Sequence, residues 1–158
     1  MKKSFHVFFL FTLLALFAVN AAWATCPIGF EEEAGSGDCY VNMPKNYDID
    51  IHIPAELTSF KVYDDGGKDG IYSSITNGGF MLYAPAGYKI QITGSIDIAY
   101  NTRFGIEYYN GSSPVYPVDK YCDVQEGCIE DFVVDPKSIY YVFLQRNQGG
   151  GDWAACRR

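Results

Sequence analysis

The chain reads as an all-β protein: an antiparallel sandwich of jelly-roll type behind a short disulfide-stapled N-terminal segment. Three observations predict it. Apolar and polar residues alternate with a period of two in several short runs. Glycine, proline and asparagine punctuate those runs at short intervals. Beyond residue 24 no stretch sustains the 3.6-residue apolar repeat of a helix.

The first 24 residues have the layout of a secretory signal. Lys2 and Lys3 give a basic start, Val7 to Val19 is an apolar run broken by Thr12, and Ala22-Trp23-Ala24 offers small residues to a signal peptidase. The run is short for a membrane span. Residues 25–46 form the N-terminal segment and residues 47–158 the sandwich.

In the sandwich, "YDIDIHI" (47–53) sets Ile49, Ile51 and Ile53 against Asp48, Asp50 and His52. "SFKVYD" (59–64), "YKIQITG" (88–94) and "FGIEYY" (104–109) alternate in the same way. "GFMLYA" (79–84), "IEDFVV" (129–134) and "IYYVFLQ" (139–145) are more continuously apolar and suit interior strands. Asn77-Gly78 and Asn110-Gly111 read as turns needing positive φ, and Pro85-Ala86-Gly87 as a further turn. Pro114, Pro117 and Pro136 read as loop markers, and Glu31 to Glu33 as the possible start of a helical turn.

The 158-residue chain carries a net charge of −7. Without the leader it has ten basic and nineteen acidic residues, which disfavours nucleic acid as a partner. All five cysteines follow the leader, and export makes disulfides the default. Five cysteines allow fifteen two-bridge connectivities. Short loops favour Cys26–Cys39 and Cys122–Cys128, leaving Cys156 free or available to a second chain as a disulfide-linked homodimer.

The stretch "YDDGGKDG" offers Asp64, Asp65 and Asp69 as calcium ligands, the only cofactor the sequence suggests. The simpler reading is a tight turn, with aspartate bonding its own backbone and glycine supplying positive φ. Adjacent aspartates diverge, so they do not make a catalytic carboxylate pair. His52, alone in the mature chain, has no nucleophile elbow or metal-ligand spacing around it and reads as an exposed strand residue. Tyr100, Tyr108, Tyr109, Tyr116 and Tyr121 cluster near one another in sequence and are candidates for contacting a ligand.

"ELTSFKVYDDGGKDGIYSS", "GFMLYAPAGYKIQITGSI" and "FGIEYYNGSS" together resemble a CUB domain, more narrowly the CUB-like modules of secreted bacterial proteins. The likeness lies in Asp65-Gly66-Gly67 followed by Tyr72, then an apolar strand, a Pro-x-Gly turn and an alternating strand. It covers about residues 47 to 145. The family's calcium site is broken here: Phe104 and Asn110 stand at two aspartate positions, Arg146-Asn147 replaces a Ser-Asp, and Asp97 is the one acidic residue nearby. The resemblance implies a secreted, non-enzymatic module that recognises extracellular protein or carbohydrate. Alternatives are a structural surface component joined through Cys156 and a calcium-dependent binder using the Asp/Gly loop.

Overall fold

The computed structural model describes residues 26–68 and 77–146. Among them the chain is all-β without a helix, so none is present that could cross a membrane. In chain order the strands are β1 (Glu31–Glu32), β2 (Cys39–Asn42), β3 (Asp48–His52), β4 (Lys61–Tyr63), β5 (Gly78–Tyr83), β6 (Ile90–Ile98), β7 (Thr102–Asn110), β8 (Ser113–Cys122), β9 (Cys128–Lys137) and β10 (Ile139–Arg146).

They form three sheets: a five-stranded sheet ordered β3-β5-β10-β7-β8, a β6-β9 ribbon and a small β1-β2-β4 sheet. Pairing is antiparallel except for β3 with β5 and β2 with β4. Alternation decides which side each strand buries. Ile51, Phe80, Leu82, Phe104, Ile106, Val118, Tyr140, Val142 and Leu144 come from the large sheet, and Ile98 and Val134 from the ribbon. All belong to one buried cluster, against which Ile92, Ile96 and Phe132 also pack, so the ribbon covers the inner face of the large sheet. Within the ribbon, Gly94 leaves room for its cross-strand partner Phe132, whose ring lies 2.9 Å from where a Cβ would stand.

Several local expectations need correcting. Pro114 and Pro117 lie inside β8, and Pro136 inside β9. A proline removes a ladder donor, so β8 tolerates two as an edge strand, and Pro136 falls where the β6–β9 register slips by one residue. Glu31 and Glu32 are strand residues paired with Tyr40 and Cys39, because the stapled segment closes as a hairpin. Gly78 begins β5 without positive φ; its need for glycine comes from Pro44, whose carbonyl oxygen lies 2.5 Å from where a Cβ would be. Gly87 and Gly111 do adopt positive φ, at 83° and 66°, and make the expected turns.

The N-terminal segment is closed on itself by a disulfide and held to the rest by charge. Cys26 and Cys39 are joined by a disulfide with Cα atoms 5.5 Å apart. Glu33, only 6% exposed, meets Lys68 Nζ at 2.5 Å and Lys61 Nζ at 2.7 Å, and Lys61 also reaches Asp38 at 2.7 Å. The two ammonium groups, Lys61 first, hold the Glu33 carboxyl at about 2, below its usual 4.5. A lowered carboxyl pKa stabilises the fold above the unfolded value and loses that contribution as pH falls. The melting midpoint should therefore drop between about pH 4.5 and about pH 2. Glu33→Gln should flatten that part of the profile, and a slope unchanged in the variant would refute the assignment.

Candidate functional site

One face of the five-stranded sheet is buried, and among the described residues no strand covers the other. The register places Asp48, Gly79, Phe143, Gly105 and Asp119 in one row across this outer face. The next row holds Asp50, Met81, Tyr141 and Glu107. Inward neighbours such as Ile106 and Val142 explain why these residues point out: the strand period leaves them no other side.

The two glycines shape the surface. The Phe143 ring occupies the space over Gly105, and Tyr141 lies over Gly79, with Cε2 2.9 Å from where a Cβ would be. The two rings stack at 5.7 Å. Tyr141 donates its hydroxyl hydrogen to Asp48 Oδ1 at 3.0 Å. Arg103 lies over the Phe143 ring at 5.2 Å and the Tyr116 ring at 5.6 Å, so its guanidinium is held against two π-faces. Asp119 accepts from Arg103 Nε at 2.6 Å and from Nη2 at 2.8 Å, a bidentate clamp. That clamp raises the Arg103 pKa and lowers that of Asp119.

Tyr116 owes its position to a bulge. Between Ile106↔Val118 and Tyr108↔Val115, two residues of β8, Tyr116 and Pro117, oppose Glu107 alone. A bulge re-aims side chains, and this one sets Tyr116 over Arg103. Glu107, 8% exposed, is on the same side of β7 as Tyr109, and its carboxylate is the main reason the Tyr109 pKa is raised. Tyr116 is raised first by burial and then by the same carboxylate. At the far edge His52 stacks on Tyr83 at 4.6 Å, with ring planes 13° apart. The face thus presents ordered rings, a fixed guanidinium and carboxylates.

Of the five tyrosines singled out in the sequence, Tyr109 and Tyr116 belong to this face. Tyr121 lies opposite Arg103 at its end and donates to Asn101 Oδ1 at 2.8 Å. Tyr100 is in the β6–β7 turn, where its carbonyl accepts from Thr102 Oγ1. Tyr108 points inward, edge-on to Tyr140 at 6.2 Å, with Lys137 over its ring. Sequence reasoning missed Arg103, Glu107, Asp119, Tyr141, Phe143 and Tyr83. The one local signal was glycine at two strand-interior positions, 79 and 105, which marks close approach of another group.

The Asp/Gly loop is a turn as far as it is described. Gly67 N donates to Asp64 O at 3.0 Å, Gly66 N donates to Asp64 Oδ1 at 2.9 Å, and Gly67 has φ of 71°. Asp69 lies outside the described residues, as does Cys156. No group of three or more His, Cys, Asp or Glu side chains suited to a metal occurs among the described residues. Cys122 and Cys128 stand beside each other as two thiols, without the S–S bond expected from their spacing. Burial and the neighbouring Cys122 push the Cys128 thiol up to about 12. Cys122 ends β8 and Cys128 starts β9, so the pair spans the connection between the large sheet and the ribbon.

A cavity of about 1380 Å³ opens between β4 and β6, lined largely by apolar side chains including Leu57, Phe60, Ile92 and Phe132. No family model, curated protein or solved structure matches this chain.

Proposed function

We propose that this chain is an exported, non-enzymatic binding module that uses the outer face of its five-stranded sheet to hold an extracellular protein or carbohydrate. Its architecture is read as a CUB-like sandwich of jelly-roll type, supported by the ribbon lying over the inner face of the large sheet. The leader and the Cys26–Cys39 bridge support export to an oxidising space. The family's calcium chemistry is not part of this reading, because Phe104 stands at a ligand position and is buried in the core.

The observation that carries the proposal is the Phe143–Arg103–Tyr116 stack with its Asp119 clamp. A sheet face turned to solvent needs no such order for stability. Rings and a guanidinium already fixed in place lose little side-chain entropy when a ligand arrives. Screening the exported chain against arrays of glycans and purified extracellular proteins should find a ligand. Tyr116→Ala, at an exposed edge position, should weaken that ligand by roughly 2 kcal/mol, about thirtyfold, with an unchanged melting midpoint. Binding indifferent to both Tyr116→Ala and Tyr109→Ala would place the contact elsewhere.

A further inference from the structure

We infer that the ligand of the outer face is an uncharged polysaccharide chain; the inference rests on reading that face as the contact surface. The argument is one of elimination by charge and then of fit.

Four carboxylates, Asp48, Asp50, Glu107 and Asp119, share the face with one guanidinium, Arg103, in a chain of net charge −7. That field repels polyanions such as uronic-acid polymers, sulfated glycans and nucleic acids. A basic peptide fares poorly for a different reason. Arg103 already balances the charge of Asp119, and Glu107 is only 8% exposed. That leaves a basic peptide two reachable carboxylates, Asp48 and Asp50, both on the edge strand β3.

What remains is the chemistry of a neutral sugar. Sugar hydroxyls both donate and accept, and the flat C–H faces of pyranose rings pack on aromatic rings. The face answers both needs. Asp50 accepts, as does Asp48 through the oxygen that Tyr141 does not use, and Arg103, one-third exposed, has more N–H groups than the two contacts Asp119 makes. Tyr109 and Tyr116, 64% and 43% exposed, offer ring surface beside it. Five strands span about 19 Å from β3 to β8 at the usual interstrand spacing, room for several sugar rings in line. Pro114 and Pro117 keep β8 from recruiting another strand, so the face and not the edge is left for recognition.

The experiment is affinity electrophoresis of the exported chain through gels containing galactomannan, xylan, mixed-linkage β-glucan or hydroxyethylcellulose, with alginate as the polyanion and calorimetry against poly-lysine as the polycation. At least one neutral gel should retard the chain and alginate should not. Tyr116→Ala should reduce that retardation at least tenfold, while Tyr88→Ala, in an exposed tyrosine bordering the cavity, should leave it unchanged. Retardation by no neutral polymer, or retardation indifferent to Tyr116→Ala, overturns the inference. If instead poly-lysine or a purified protein binds and Tyr116→Ala abolishes that, the face remains the contact surface and only the sugar assignment is lost. If no ligand is sensitive to Tyr116→Ala, both fail.

Discussion

Gly105→Val should destabilise the chain by about 3 kcal/mol, the upper end of the range for overpacking, and should disorder the outer face at the same time. A Cβ at position 105 would fall within the space of the Phe143 ring, with Cε2 still only 2.9 Å away. Phe143 cannot retreat downward, because the sheet backbone lies beneath it, so it must swing out into solvent. Arg103 then loses one of its two π-faces. The expected readout is a lower denaturant midpoint together with loss of the near-ultraviolet dichroism of the ring cluster and loss of ligand. Gly111→Ala is the informative comparison. Gly111 has positive φ but nothing within 4 Å, so alanine there costs about 1 kcal/mol from the backbone alone and should leave the face intact. Equal effects from the two substitutions would show that Phe143 does not depend on the glycine beneath it.

The strands were legible where alternation was clean and the turn residues conventional. Ile49 and Ile51 of β3, and Phe104 and Ile106 of β7, face inward as their spacing requires. β8 was illegible because its two prolines look like loop markers; only its edge position, a property of the assembled sheet, makes them acceptable. The outer face was legible in part. Tyr109 and Tyr116 could be suspected as tyrosines near a turn; the alternation of β7 already turns Tyr108 inward, whereas the bulge that aims Tyr116 arises only from pairing with β7. The other members come together through pairing at long range. Arg103 and Asp119 are sixteen residues apart, and Tyr141 and Asp48 ninety-three. The strand order β3-β5-β10-β7-β8 that joins them is a tertiary result, which no local window contains.

Tyr140→Ala should be the most damaging single truncation, at about 3–5 kcal/mol for the loss of a buried aromatic ring. Tyr140 is wholly buried, its ring meets Tyr108 edge-on at 6.2 Å, and its hydroxyl donates to the carbonyl oxygen of Asp135. That bond matters because of where it lies. Tyr140 belongs to β10 in the large sheet and Asp135 to β9 in the ribbon, at the point where the ribbon's register slips past Pro136. The one side chain therefore fills the core and ties the two layers together. Tyr140→Phe separates the two roles: the ring stays, and leaving the Asp135 carbonyl without its donor should cost only about 1–3 kcal/mol. Alkaline pH offers an independent measure. Burial first, then nearby Asp135, pushes the Tyr140 hydroxyl up to about 12 from its usual 10. Because the folded value is raised, its contribution is complete below pH 10 and is lost as pH rises towards 12. Tyr141 and Cys128 are also pushed up to about 12, first by burial, and Tyr40, Tyr109 and Tyr116 are raised too, so Tyr140→Phe should remove only part of the wild-type slope. A variant that keeps the whole alkaline slope, or an alanine variant as stable as the phenylalanine one, would show that the layers are joined without Tyr140.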